Sequence, residues 1–262
     1  MVTIIIVIYK SDKKKLLKVL NKFQNKYKVI LIDNSLNYNF SGIKITKKIK
    51  IIRSNNVGNG AGINIALKKC KTKFAIYLDI DVDFKINALK NLVRYTKKIK
   101  DFSVLVPNHG NLISKHKLLK KFSGEASMML FDINKIKKVG FFDEKFFLYF
   151  EESDLFLRIK RLNQNVYFTP KIKIIHNRAS SITSFETENL RSWHYMWSMF
   201  YFYKKNFNYF IALKKTYLLI LIDIVMLMFF LFSMNIKEVK KRFFRIYGVM
   251  CSLIGISSFL RP

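Results

Sequence analysis

Short runs rich in β-branched residues alternate with helical patterns through the first part of this 262-residue chain. The runs are Thr3–Tyr9, Lys28–Ile32, Ile49–Ile52, Phe74–Leu78 and Ser103–Val106; the helical patterns lie near Asp12–Phe23, Gly60–Lys71 and Asn87–Lys98. Apolar runs of this length, without polar alternation, suit strands covered on both faces. Their alternation with helices predicts an α/β doubly wound sheet. Ligands of such sheets sit beyond the carboxyl ends of the strands, so the polar residues that close each run are expected to carry the chemistry. The first run stops at Lys10-Ser11-Asp12, lacks a basic leader and a small-residue cleavage site, and falls well short of the roughly 20 residues of a membrane span.

The closing residues are suggestive. Lys28–Ile32 leads into Asp33-Asn34-Ser35, where Asp33 either meets a ribose hydroxyl or base edge, or serves as an ordinary turn residue. Ile49–Ile52 leads through Arg53 and Asn56 to Val57-Gly58-Asn59-Gly60-Ala61-Gly62, a turn that offers backbone N–H groups to an anion. That turn is neither a P-loop nor a dinucleotide fingerprint, which weighs against nucleotide triphosphatases and hydride transfer. Phe74–Leu78 ends in Asp79-Ile80-Asp81-Val82-Asp83. Acids two apart at a strand mouth lie within reach of one hard cation that keeps phosphate oxygens in its shell.

Downstream, Ser123-Gly124-Glu125-Ala126 leads into a further strand pattern that reaches Phe131, followed by a short helix to Val139 with Gly140 as its C-cap. Glu151-Glu152-Ser153-Asp154 opens a helix with Leu155, Ile159 and Leu162 on one face; Val166–Phe168 is a strand pattern, and His176 follows. Acids at a helix start are stabilised by the macrodipole, and one of them could equally deprotonate an acceptor hydroxyl. His176 is either structural or a metal ligand through neutral imidazole.

From about Asn189 the composition changes. Trp193, Trp197, Phe200 and Tyr201 share a helical stripe, Tyr217–Met234 is apolar apart from Asp223, and Lys240-Lys241-Arg242 with Arg245 precedes the apolar Tyr247–Leu260. The 48 Lys and Arg against 17 Asp and Glu give a net charge of +31. Such an excess draws anions such as nucleotide phosphates, nucleic acid or acidic lipid headgroups, and a compositional bias toward Lys would produce it too. Two cysteines, Cys70 and Cys251, exclude a disulfide scaffold and a Cys-built zinc site, and fit a reducing setting.

In this order the pieces resemble the family 2 glycosyltransferases of the GT-A fold, particularly their rhamnosyltransferase-like branch. The resemblance is carried by Ile30–Ser35, Asn56–Asn64, Leu78–Val82, Gly124–Phe131, Gly140–Arg158 and His176, with the Gly140–Arg158 block the most specific. It implies a Rossmann-like mixed sheet flanked by helices over residues 1–205; the composition beyond it predicts a hydrophobic, basic helical extension over 206–262. Asp33, Asn56, Gly58, Asn64 and Asp79 would bind the nucleotide sugar. Asp79, Asp81 and His176 would hold Mn2+ or Mg2+. Gly124, Ala126 and Glu151 would line the acceptor, and Glu152, or else Asp154, would act as base in an inverting transfer. The partners so implied are a nucleotide-diphosphate sugar and a cell-envelope glycan or lipid-linked acceptor, not nucleic acid. An anionic membrane surface is expected as well, with the chain on the cytoplasmic side of the inner or plasma membrane as a peripheral or single-span protein. Two rivals share the charge and the acids: a basic nucleic-acid-binding protein, and a nucleotidyltransferase using the same metal–nucleotide logic.

Overall fold

The computed structural model describes residues 2–23, 26–108, 119–120, 126–176 and 185–262. The chain divides into two compact units, one of residues 1–143 and 155–181, the other of residues 144–154 and 182–262. The extension expected from residue 206 onward therefore belongs to a unit that starts earlier and takes in the segment 144–154.

In chain order the first unit contains β1 (Val2–Ile8), α1 (Lys13–Phe23), β2 (Lys28–Asp33), β3 (Ile49–Arg53), α2 (Asn59–Lys69), β4 (Phe74–Leu78), β5 (Val82–Asp83) and α3 (Ile86–Lys98). It continues with β6 (Phe102–Asn108), β7 (Leu119–Lys120), β8 (Met128–Asp132), α4 (Ile133–Val139), α5 (Glu151–Arg161), β9 (Asn165–Lys173) and β10 (Ile175–His176); the unit boundary falls within α5, after Asp154. The strand order of the main sheet is β3-β2-β1-β4-β8-β6-β9-β7. Strands β3, β2, β1 and β4 run parallel, with Ile8 opposite Asp33 and Asp33 opposite Arg53, so their polar closing residues emerge along one edge. Strand β8 enters antiparallel to both β4 and β6, which makes the sheet mixed rather than wholly parallel.

Both faces of the sheet are buried, as the uniform apolar runs require. One core layer gathers Ile4, Ile6, Leu31 and Leu130 against Leu16, Leu20 and Leu89. The other gathers Ile5, Ile32, Tyr77 and Phe131 against Ile63, Leu67, Leu155 and Ile159. Leu162, expected on the buried face of α5, lies beyond the last helical turn and is exposed. Gly140 closes α4 as expected, at φ +92, a conformation that side-chain-bearing residues rarely adopt.

The second unit is built on α6 (Phe185–Asn206), α7 (Tyr209–Phe232) and α8 (Ile236–Leu253). The aromatic stripe is its core: Trp193 and Phe200 are fully buried, and Trp193 stacks on Trp197 and Trp197 on Tyr201. The C-terminal tail folds back on α6, where Trp197 Nε1 donates to the Ile256 carbonyl at 2.9 Å and His194 Nε2 meets the Leu260 carbonyl at 2.9 Å. Burial pushes the His194 imidazole down to about 4, so the ring stays neutral at physiological pH.

Helices α6 and α8 meet at Gly248, where an added Cβ would run into the Trp193 carbonyl oxygen and lie 3.0 Å from its carbon. Helix propensity alone favours alanine over glycine by about 1 kcal/mol. We nevertheless expect Gly248→Ala to destabilise the chain by about 1–3 kcal/mol in denaturant unfolding, because the obstacle is backbone and cannot rotate away.

Candidate active site

The acidic triplet at the end of β4 is split by the turn that follows it. The Val82 amide donates to the Asp79 carbonyl at 3.3 Å, the Asp79 amide donates to the Ser127 carbonyl at 2.9 Å, and the chain enters β5 at Val82. Asp79 and Asp81 sit in this turn, each partly exposed. The phenol of Tyr77, buried in the core two residues before Asp79, bonds Asp79 Oδ1 and lies 3.0 Å from Asn59 Oδ1. Since side chains two apart on a strand share a face, Tyr77 is the part of the site that period-2 reading could have found.

Asp83 goes elsewhere. Its carboxylate meets Lys22 at 3.2 Å and Lys18 at 3.9 Å, both on α1, and the Lys22 ammonium holds its carboxyl below the usual range. Strand β10 pairs antiparallel with β5, and its register sets His176 opposite Val82 and Ile175 opposite Asp83. The His176 backbone is thus brought beside the residue that follows Asp81, from 94 positions away in the sequence. Among the described residues no three His, Cys, Asp or Glu side chains converge as a metal cluster. Two hard carboxylates at one turn fit a cation that completes its shell with substrate phosphates.

At the neighbouring strand ends, Asp33 is fully buried and accepts from the Ser35 amide at 2.9 Å and the Tyr38 amide at 3.0 Å. Its turn role is therefore fulfilled. Asn34 ties that turn to the next loop, donating to the Gly58 carbonyl at 3.1 Å and accepting from Ser54 Oγ at 2.8 Å. Gly58 is itself buried, and its amide lies 3.4 Å from Asn56 Oδ1. Asn64, on α2, is buried and pairs with the backbone of Phe142. Its Nδ2 donates to the Phe142 carbonyl at 2.9 Å and its Oδ1 accepts from the Phe142 amide at 3.0 Å. Arg158 does the same for the flanking residues, donating to the Val139 carbonyl at 2.8 Å and the Phe141 carbonyl at 2.6 Å. Ala126 is buried just before β8, while Gly124 lies outside the described residues.

Within the second unit the acid-rich start of α5 follows two left-handed residues, Tyr149 at φ 68 and Phe150 at φ 67. Such conformations cost of order 1–3 kcal/mol each for residues with side chains and persist only where packing holds them. Here Tyr149 and Phe150 both pack on Tyr195, and Phe150 also packs on Phe202. Glu151 and Asp154 are buried, whereas Glu152 is partly exposed. Asp154 Oδ1 accepts from Lys205 Nζ at 2.7 Å and Asn206 Nδ2 at 2.9 Å, an ion pair that makes it part of the α6 packing. Sequence reasoning missed Lys205 because nothing local marks a partner 51 residues away.

The family model described as "Glycosyl transferase family 2" matches residues 3–160, more than half of the chain, and the chain belongs to that family. No curated protein sequence matches it. Solved structures similar in fold include a mannosyltransferase, PcManGT, from Pyrobaculum calidifontis in complex with GDP-Man and Mn2+, with a TM-score of 0.59 at 10% identity over 96% of this chain and 86% of that one. GalNAc-T7 with UDP, GalNAc and Mn2+ gives 0.57 at 15% identity over 67% and 43%, and S. aureus TarS gives 0.51 at 16% identity over 73% and 39%. The chain thus spans about two fifths of the length of those last two proteins. The fold is GT-A: a mixed sheet flanked by helices, followed by one C-terminal helix apolar enough to be a membrane candidate.

Proposed function

We propose that the protein is an inverting, metal-assisted glycosyltransferase that moves a hexose, rhamnose on the strength of the branch resemblance, from a nucleotide-diphosphate donor to a hydroxyl of a cell-envelope glycan or lipid-linked acceptor. The observation that carries the reading is the Asp79–Asp81 turn with the His176 backbone in register beside it, in a family 2 chain. Asp79, Asp81 and His176 would hold the cation; Tyr77 orients Asp79 through its phenol. A bound divalent cation would stabilise the charge that gathers on the departing diphosphate. The turns fixed by Asp33, Asn34 and Gly58 receive the nucleoside and its phosphates. Glu152, the most open of the three acids that start α5, takes the proton of the acceptor hydroxyl. Ala126 supports an acceptor surface with room for a sugar ring. The apolar α7 and the excess of Lys and Arg support a setting on the cytoplasmic face of a membrane.

Melting the full chain with UDP- and GDP-sugars, with and without Mn2+, tests the donor assignment. A donor at a hundred times its dissociation constant stabilises the native state by about 2.7 kcal/mol. We expect that gain only when Mn2+ is present, and loss of it in Asp81→Asn. Equal stabilisation without the metal, or none with any nucleotide sugar, counts against the proposal.

A further inference from the structure

We infer that α7 lies in the plane of an anionic lipid leaflet, with its outer face on the acyl chains, and does not cross the bilayer. This rests on the membrane setting proposed above and deepens it. The helix has 24 residues, roughly 36 Å at 1.5 Å per residue, so length alone would permit crossing a hydrocarbon core of about 30 Å. What decides is the one charged residue between Tyr217 and Phe232. Asp223 is 1% exposed; it accepts from Arg242 Nη1 at 2.9 Å and from Arg245 Nε at 2.8 Å, both on α8. Asp223 lies nine residues before Phe232, about 14 Å from that end, close to mid-membrane for a crossing helix. A crossing α7 would either strip Asp223 of both guanidinium groups or carry α8 into the hydrocarbon with it. Lys237, which pairs with Glu188 at 3.3 Å, and Lys240, both exposed on α8, would then be carried into hydrocarbon as well.

Lying flat removes the conflict. Asp223 faces α8, and the opposite side of α7 presents Leu221, Val225, Met228, Phe229 and Phe232, the last 92% exposed. Between Leu218 and Phe232 that outer face carries no polar side chain. A protein partner would be expected to find roughly one hydrogen bond per 100–200 Å² of interface, whereas acyl chains ask for none. Lys214 and Lys215 near the start of α7, with Lys237 and Lys240 on α8, are exposed and complement anionic headgroups.

The full chain should float with phosphatidylcholine vesicles containing phosphatidylglycerol at least about tenfold better than with phosphatidylcholine alone, and alkaline carbonate should release it. Val225→Glu combined with Phe229→Glu, both on the exposed face, should cut binding by about tenfold or more with melting unchanged. Retention after carbonate, with Cys at position 234 (Met234→Cys) labelled from the side opposite the catalytic unit, would overturn the in-plane placement and leave the membrane setting standing. Unaltered binding by the double variant would likewise overturn it. Failure to float on any vesicle, with a dimer in sedimentation, would overturn both and assign the face to a second copy of this chain.

Discussion

Asp81→Asn is expected to lower turnover about 10³-fold while shifting the melting temperature little. The substitution keeps the shape of the side chain and removes only its charge. Asp81 stands in a turn and is partly exposed, so no large apolar contact is lost. The loss comes from weaker stabilisation of charge on the leaving diphosphate, a contribution typically worth 10²–10³ in rate when one stabilising group is removed. Asp83→Asn is the internal control. It removes a carboxylate two residues away that serves Lys22 and Lys18 and is 48% exposed, and surface pairs of that kind contribute about 0–1 kcal/mol. Release of nucleoside diphosphate from the donor identified by thermal stabilisation, at saturating Mn2+, measures both variants. If Asp81→Asn stays within tenfold of the parent, or if Asp83→Asn falls with it, the assignment of the cation to Asp79 and Asp81 fails.

That contrast marks how far the sequence could be read. The apolar runs located β1 to β4 and the helices between them to within a residue or two, because strands buried on both faces advertise themselves by composition. Direction does not show in composition: β8 has the same apolar character in either orientation, so its antiparallel entry between β4 and β6 was invisible to alternation alone. The three acids after β4 read as one cluster until the turn at Asp79–Val82 sent Asp83 toward α1. Roles set by distant partners were equally hidden. Asn64 is defined by Phe142, Asp154 by Lys205, and Asp223 by Arg242 and Arg245, and loop lengths of this order impose no local signature. Asp223 shows the consequence most clearly. As sequence it interrupts a membrane-length apolar helix; as structure it is the residue that ties α7 to α8.

The base assignment separates through a crossed pair of variants. Glu152→Gln is expected to lower turnover by about 10²–10⁴, the range for loss of a general base, with donor binding and melting near the parent values. Asp154→Asn is expected to do the reverse. Its carboxylate is fully buried and accepts from Lys205 Nζ at 2.7 Å and Asn206 Nδ2 at 2.9 Å, so an amide there weakens a charge-assisted contact that ties α5 to α6. Losing a charge-assisted hydrogen bond to a buried carboxylate costs about 1.5–3 kcal/mol, and a loss in that range is expected, with one end of the pair open to solvent. At a temperature where Asp154→Asn is still folded, its turnover should stay within a few-fold of the parent. A Lys205→Met change added to Asp154→Asn should cost less than the two single losses summed, since the contact between them is already weakened and the unbranched chain keeps a similar length. Should Asp154→Asn instead lose turnover while folded, with Glu152→Gln active, the proton would have to go to Asp154, and Lys205 would have to release that carboxylate each time an acceptor binds.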